Sequence, residues 1–222
     1  MGEPSRIGRR TGRPRTLDAE QIVAAARAVG VADFTMPAVA SRLGVSHSTL
    51  YRYFADRDGL ALAAINQIVA ECRWPAPAGD WRAAVTEFAD ALWSAFERNP
   101  GLARASWEAS TIPDAVVPVL HALGAHVVAH GFTPRDAVLL LDFVSDLALS
   151  TFVLMGHLDR PAASTPGSPS VRESYQSGLG RIPLLGSAIP AEIWHGRGWF
   201  DEKLTIFLDG FAVRQEARNR DA

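Results

Sequence analysis

The sequence has very little cysteine and no long apolar run. Its 222 residues include one cysteine, Cys72, which excludes an internal disulfide bond and any CxxC-type metal or redox site. The longest apolar stretches fall well short of the roughly 18 residues that a membrane span needs. The residues after Arg9 and Arg10 lack the apolar segment of an export signal. These absences predict a soluble, cytoplasmic protein with no membrane partner.

Charge is nearly balanced over the whole chain, but it is unevenly distributed. The formal net charge is −2, which argues against a protein that coats nucleic acids through an overall basic composition. Residues 1–60 hold nine arginines and six acidic residues, whereas residues 61–222 are net acidic. The first part of the chain is therefore the part suited to face an anion.

Hydrophobic residues make up 48% of the chain, enough for a sizeable core.

Helical periodicity recurs along the chain, and sustained alternation of β-branched residues is missing. In the first third, Asp18, Thr35 and Ser46 are suited to begin three short helices. Gly30 and Gly44 are suited to end the first two. The third helix is expected to run to the end of the aromatic cluster that follows it. The sequence predicts an all-α fold.

The second part of the chain begins after a break at residues 75–79, which is the best candidate domain boundary. Long helices are predicted from Trp81, over 134–157 and over 201–217, where apolar residues follow a helical period. Residues 159–181 are rich in proline, glycine and serine and are predicted to form a long, mobile loop.

The segment at 35–54 has the spacing of a helix-turn-helix, with Gly44 in the turn. The N-terminal residues of such a second helix reach base edges, and its hydroxyl groups donate to phosphates. Arg13 and Arg15 lie in a Gly-Arg-Pro-Arg run that is similar to the core of an AT-hook, so they are candidates for the minor groove. The helix and the residues after it display Ser46, His47, Ser48, Thr49, Tyr51, Arg52 and Tyr53.

The run LGVSxxTLYxYF at residues 43–54, followed by RDxL at residues 57–60, resembles the DNA-reading head of the TetR family of bacterial repressors. The match covers roughly residues 16–68. Behind it, residues 80–82, 98–100 and 200–211 resemble parts of the tetracycline-repressor-like C-terminal domain. The resemblance implies a homodimer that binds a palindromic operator in double-stranded DNA, with the helices at 134–157 and 201–217 pairing with their copies.

The resemblance also assigns roles to individual residues of the head. His47 and Ser48 match base-reading positions, and Arg52 is a further candidate. Pro37 stands where some relatives have a base-reading arginine, so specificity should rest more on the third helix and the basic arm. The positions that match phosphate contacts are Thr35, Thr49, Tyr51, Tyr53 and Arg57.

The predicted organisation has four parts: a flexible basic arm (1–15), a helix-turn-helix DNA-binding domain (16–60), a connecting helix (61–74) and a ligand-binding and dimerisation domain (75–222). The last part is expected to bind a small apolar or aromatic effector without a cofactor or metal. The histidine that binds metal in tetracycline repressors has no counterpart here, so tetracycline is not the expected effector. The predicted lining is Trp93, Phe96, Trp107, His126, Asp142, Phe143, Asp146, Phe152, Met155 and Trp194.

The sequence also offers other candidate sites. His126 and His130 are one turn apart and His121 is near, but a third ligand at a recognisable spacing is missing, which argues against a metal site. Asp142 and Asp146 could form a catalytic carboxylate pair, yet no nucleophile and base accompany them. The favoured function is a ligand-responsive transcriptional repressor and not an enzyme. The alternatives are a DNA-binding regulator without a small-molecule effector and, less favoured, an all-α enzyme.

Overall fold

The computed structural model describes residues 17–165, 167–184 and 186–221, without the side chains of Asn219 and Asp221. These segments form helices and no strand, apart from one isolated bridge between Pro161 and Ser170. The all-α prediction is therefore confirmed. The α-helices are α1 (Ala19–Val29), α2 (Met36–Leu43), α3 (His47–Leu50), α4 (Arg57–Glu71), α5 (Trp81–Arg98), α6 (Leu102–Glu108), α7 (Val117–Ala129), α8 (Pro134–Leu158), α9 (Val171–Gly180) and α10 (Phe200–Asp221).

We call α1–α4 the head and α5–α10 the body. In the head, the Asp18 carboxylate accepts a hydrogen bond from the Gln21 amide at 2.8 Å, and the Thr35 hydroxyl accepts one from the Ala38 amide at 3.3 Å. These caps begin α1 and α2 where the sequence predicts. Gly44 ends α2 in the left-handed region at φ 69°, which a glycine adopts at little cost and which turns the chain towards α3.

The head core is built from aliphatic side chains, with α1 packed against α2 and α4, and α2 against α3. Ile22, Val39, Leu50 and Leu60 are all fully buried there. The third helix is shorter than predicted, because α3 ends at Leu50 and residues 51–54 form a turn closed on the Leu50 carbonyl. At the other end of the head, α4 stops at Cys72, whose half-buried thiol donates to the Ile68 carbonyl.

In the body, α8 is the central helix and packs against α5, α6, α7 and α10. Helix α6 is absent from the prediction because Gly101 begins it in a left-handed conformation without a capping side chain. The mobile loop predicted over 159–181 is wrong in its second half. There Ser170 and Glu173 exchange capping hydrogen bonds and begin α9.

Helix α8 also corrects the expectation that no segment is apolar enough to cross a membrane. By length and composition alone it qualifies, with a mean hydropathy of 2.0 over its most apolar 18 residues. Asp142 and Asp146 divide α8 into short apolar runs, so its high mean hydropathy is not visible as one unbroken apolar stretch. Only 28% of that 18-residue stretch is buried within the chain, so α8 leaves a large apolar surface uncovered.

A buried carboxylate fastens the start of α8 to the end of α10. Asp136 accepts hydrogen bonds from the Thr133 hydroxyl and the Arg218 guanidinium, and Arg214 Nε lies 3.2 Å from its other oxygen. The Thr133 hydrogen bond first, and then the two arginines, hold the pKa of Asp136 below its ordinary value despite burial. This ionic cluster lies outside the residues that the sequence predicts to be functional.

Contacts between the head and the body include a close approach at the start of α6 and a hydrogen bond at α4. The start of α6 lies against the α1–α2 turn, where a Cβ atom on Gly101 would be 3.3 Å from Ala32 Cβ, and Arg104 forms an ion pair with Asp33. On the other side of α4, the Asn66 side chain accepts a hydrogen bond from the Ala115 amide at 3.0 Å. A displacement of α6 or of residues 114–116 would therefore reach the head directly.

Candidate DNA-binding site

Three hydroxyl groups cluster at the beginning of α3. Ser46 stands before the helix, and its Oγ lies 2.9 Å from both Ser48 Oγ and Thr49 Oγ1. Ser46 makes no side-chain hydrogen bond to the α3 backbone, so its hydroxyl is engaged only with other hydroxyls. Hydroxyl groups that share hydrogen bonds in this way keep spare donor and acceptor capacity for an outside partner. The N-terminal end of α3 is therefore a polar, exchangeable surface.

The remaining predicted base-reading residues also point outwards. His47, Ser48 and Arg52 are exposed, and the His47 ring meets the Tyr51 ring edge-on at a centroid distance of 6.3 Å. Tyr51 follows directly after α3 and is 50% exposed. Within the part of the chain that the structure describes, its hydroxyl has no protein partner. A half-exposed tyrosine with an unengaged hydroxyl costs the fold little and is available to an outside acceptor.

Tyr53 is held differently, because its hydroxyl donates to the Leu17 carbonyl at 2.6 Å. This hydrogen bond places the start of α1 beside the end of the recognition segment. The sequence pattern groups Tyr51 and Tyr53 together, but the structure gives only Tyr53 a role within the head. The Tyr53 hydroxyl oxygen can still accept a hydrogen bond, whereas its proton is already donated to the backbone.

Arg57 also makes contacts within the head. Its guanidinium donates to the Ala32 carbonyl at 2.7 Å and the Phe34 carbonyl at 3.2 Å, and it lies over the Phe34 ring at 5.1 Å. These contacts fasten the start of α4 to the α1–α2 turn. Thr35, in that same turn, uses its oxygen as the cap of α2 and keeps its proton for an outside acceptor. Arg13 and Arg15 lie outside the described residues.

Part of the predicted effector lining forms one aromatic cluster in the body. Trp93 lies 5.1 Å from both Phe152 and Phe200, and Phe96 lies 5.3 Å from Phe152, all as ring-centroid distances. Trp93 is 3% exposed, and its indole N–H donates to Glu97 at 2.9 Å. Packing of this kind stabilises the core and also supplies the apolar wall that an aromatic ligand needs.

The other predicted lining residues lie in separate places. Trp107 is 61% exposed on α6. Phe143 stacks on Phe207 at 3.6 Å between α8 and α10, with the exposed Asp142 and Asp146 beside it in sequence. Met155 lies beside Gly198, and the carbonyl of the buried Trp194 accepts a hydrogen bond from Arg172. The His126 and His130 rings lie 4.4 Å apart, measured between their centroids.

Two clefts border the junction of head and body, and neither contains any of the ten predicted lining residues. Across the described segments, no group of three or more histidine, cysteine or acidic residues lies close enough to hold a metal ion.

The first third of the chain is similar to a known family. The sequence pattern of the family described as "Bacterial regulatory proteins, tetR family" matches residues 21–64, which span α1 to the first half of α4. The HTH-type transcriptional repressor Rv1353c of Mycobacterium tuberculosis is 27% identical over 182 residues, covering 75% of this chain and 68% of the relative.

Solved structures agree over most of the chain. Apo ActR from Streptomyces coelicolor superposes with a TM-score of 0.74 at 18% identity, covering 90% of this chain and 98% of that one. A possible TetR family transcriptional regulator from Streptomyces coelicolor A3(2) gives a TM-score of 0.72 at 21% identity, covering 88% and 99%. At these identities the likeness concerns the fold, whereas the family assignment rests on the head. The head therefore carries the sequence pattern of the TetR family of bacterial regulatory proteins, and the chain as a whole is similar to TetR-family DNA-binding transcriptional regulators, which are not enzymes.

Proposed function

We propose that this protein is a homodimeric, cytoplasmic repressor that binds a palindromic operator and releases it when a small, mostly apolar effector binds the body. The observation that carries the proposal is the exposed end of the helix-turn-helix. There His47 and Tyr51 are exposed, and the hydroxyl groups of Ser46, Ser48 and Thr49 hydrogen-bond to one another. The proposed division of labour assigns DNA binding to residues 16–60 and ligand binding with dimerisation to residues 75–222, joined by 61–74.

The contacts within the head suggest different roles for the residues proposed to contact DNA. Thr49 and Tyr51 would donate to phosphates directly, since their hydroxyl protons are not held by the backbone. Tyr53 and Arg57 would act mainly by holding the start of α1 and the α1–α2 turn in register with α3. His47, Ser48 and Arg52 would read base edges in the major groove.

Dimerisation is proposed through α8 and α10, whose uncovered apolar side chains suit packing against a second copy. Val138, Leu139, Ile206 and Val213 are all exposed within one chain. A lipid environment suits this surface poorly, because Asp142 and Asp146 are exposed near the middle of α8, where burial in a bilayer costs several kcal/mol. A two-fold dimer would place two α3 helices about one DNA turn apart, which matches a palindrome.

The effector site is proposed at the aromatic cluster around Trp93, Phe96 and Phe152. ActR, which shares this fold, has been solved in complex with actinorhodin. Release of DNA would pass through α4, since α6 and residues 114–116 contact α4 on the body side. An effector shifts this equilibrium only by the difference between its affinities for the two arrangements.

The proposal is tested by selecting operator DNA from a random pool with the purified protein and then replacing Tyr51 with alanine. Tyr51→Ala should lower operator affinity at least about tenfold, which corresponds to about 1.4 kcal/mol, while the oligomeric state measured by sedimentation stays the same. Tyr175→Ala is the matched control, because Tyr175 on α9 is 52% exposed and lies in the body. Failure to enrich any sequence, or equal losses in both variants, would refute the proposed DNA contact.

A further inference from the structure

A groove of about 380 Å³ lies between the head and the body, away from both α3 and the aromatic cluster. Its floor is apolar, with Ala24 and Ala28 from α1, the α1–α2 turn residue Val31 and Ile68 from α4. Val31 and Ile68 are buried, so the floor belongs to the head core. The volume is within the usual range for small-molecule sites.

Two arginines, Arg27 and Arg98, also line the groove. Arg27 on α1 donates to both carboxylate oxygens of Glu71, at 2.7 and 2.6 Å, and its charge is therefore compensated. Arg98, at the end of α5, donates through Nε to the Ser94 carbonyl at 3.1 Å. Among the residues that the structure describes, neither terminal NH₂ group of Arg98 has a protein partner. Within the described segments, the groove therefore carries one exposed positive charge without an ion-pair partner beside an apolar surface.

The groove is badly placed to contact the DNA that α3 would read. Tyr53 holds Leu17, at the start of α1, beside the recognition segment. Ala28 lies near the other end of α1, about 15 Å further along the helix axis at 1.5 Å per residue. A phosphate on α3 would therefore not reach Arg98, so an anion that pairs with Arg98 has to come from elsewhere.

We propose that this groove binds a small amphipathic anion, with a carboxylate on the terminal NH₂ groups of Arg98 and a hydrocarbon part on Ala24, Ala28, Val31 and Ile68. Guanidinium groups pair with carboxylates through two parallel, charge-assisted hydrogen bonds. Burial of the hydrocarbon part on the apolar floor supplies the remaining affinity. This site is separate from the effector site proposed above.

Such a ligand touches α1 and α4 of the head and α5 of the body at once. It therefore favours one orientation of the head relative to the body, and it changes DNA affinity by the same factor by which DNA changes the affinity for the ligand. This consequence for DNA rests on the proposed function, whereas binding of the anion to the groove does not.

The test is calorimetric titration of octanoate into the full-length protein in the absence of DNA. An occupied groove should give saturable binding with a dissociation constant on the order of 1 mM or below, as expected for a ligand of this size. Arg98→Ala should weaken binding about tenfold, because it removes the charge-assisted pair. Ala28→Leu, which fills the groove without changing any charge, should weaken it to a similar extent.

Arg181→Ala is the matched control, because Arg181 is an exposed arginine of the body outside the groove. The Arg181→Ala variant should bind octanoate with the affinity of the wild type. The neutral alcohol 1-octanol should bind at least about tenfold more weakly than octanoate. Equal octanoate affinity in the wild type, Arg98→Ala and Ala28→Leu would overturn the proposal, as would the absence of saturable binding. Because no DNA is present, a failure here is distinct from a failure to find an operator.

Discussion

The head and the body expose opposite kinds of side chain. The head buries Ile22, Val39, Leu50 and Leu60 completely and presents hydroxyl groups, His47 and Arg52 on and just after α3. The body also has a closed core, yet α8 and α10 leave Val138, Ile206 and Val213 exposed. Hydrogen-bond donors are what phosphates and base edges require, whereas an exposed apolar helix pair is what a second protein surface covers. The two parts therefore differ in the kind of partner that their exposed side chains suit.

The largest expected effect comes from making the exposed apolar surface of the body polar, as the surface of the head is. Replacing both Val138 and Ile206 with aspartate should raise the dimer dissociation constant at least about 100-fold, because each charge occurs twice in a two-fold interface. Sedimentation velocity measures the change, and circular dichroism checks that the helices persist.

Leu184→Asp is the matched control for this change, since Leu184 is strongly exposed in the body outside α8 and α10. This variant should keep the oligomeric state of the wild type. A Val138→Asp/Ile206→Asp protein that remains dimeric at the same concentration would show that the two copies meet elsewhere.

A smaller effect is expected at Asp136, where the body uses a buried charge that the head lacks. Asp136→Asn should lower the free energy of unfolding by about 2 kcal/mol, a value reduced because Arg214 and Arg218 are partly solvated. Urea unfolding measures this loss. Asp142→Asn, on the exposed part of the same helix, should change stability little and serves as the control.

The pKa of Asp136 gives the sign of the pH dependence. Its pKa is lower in the folded state than in the unfolded chain, so the unfolded chain binds more protons at acidic pH. The stabilisation is complete above the ordinary carboxyl pKa of about 4 and is lost as the pH falls through the folded-state value. In Asp136→Asn this part of the acid destabilisation should disappear, and an unchanged acid profile would contradict the assignment.

The smallest effect is expected at the contact between the two parts. Gly101 has φ 86° and packs against Val31 and Ala32, whereas Gly79 has φ 68° with nothing within 4 Å of its Cβ position. Either alanine variant should cost about 1 kcal/mol of stability through backbone strain. Only Gly101→Ala should also change operator affinity, by a few-fold, because its methyl group displaces the α1–α2 turn. Equal operator affinities in the two variants would show that this contact does not couple body to head.

Much of the head could be predicted from the sequence because its signals are local. Asp18, Thr35 and Gly44 act through hydrogen bonds and backbone conformations within four residues, so the sequence alone places the helix boundaries. The same logic was available for α9, where Ser170 and Glu173 form a capping box, but the glycine- and serine-rich composition concealed it. Helix α6 offered no such signal, because Gly101 starts it without a side-chain cap.

The body site could be predicted only in part, since helical phase does not tell which neighbour covers an apolar stripe. Trp93 and Trp107 looked alike in the sequence, yet one is buried against Phe152 and Phe200 and the other faces outwards. In the head, the contacts of Tyr53 with Leu17 and of Arg57 with Ala32 depend on residues more than 20 positions apart. Such pairings follow from the packing of helices, which no short motif specifies.

The single thiol at the end of α4 allows a distance to be measured between two spin labels without further engineering. Cys72 needs no cysteine-free background, and in a dimer two identical spin labels would give one interlabel distance. Burial raises the pKa of the Cys72 thiol, so labelling should proceed faster at mildly alkaline pH, where the thiolate is more populated. Because Cys72 ends the helix that joins head to body, that distance should report directly how far the two heads separate between operator-bound and effector-bound protein.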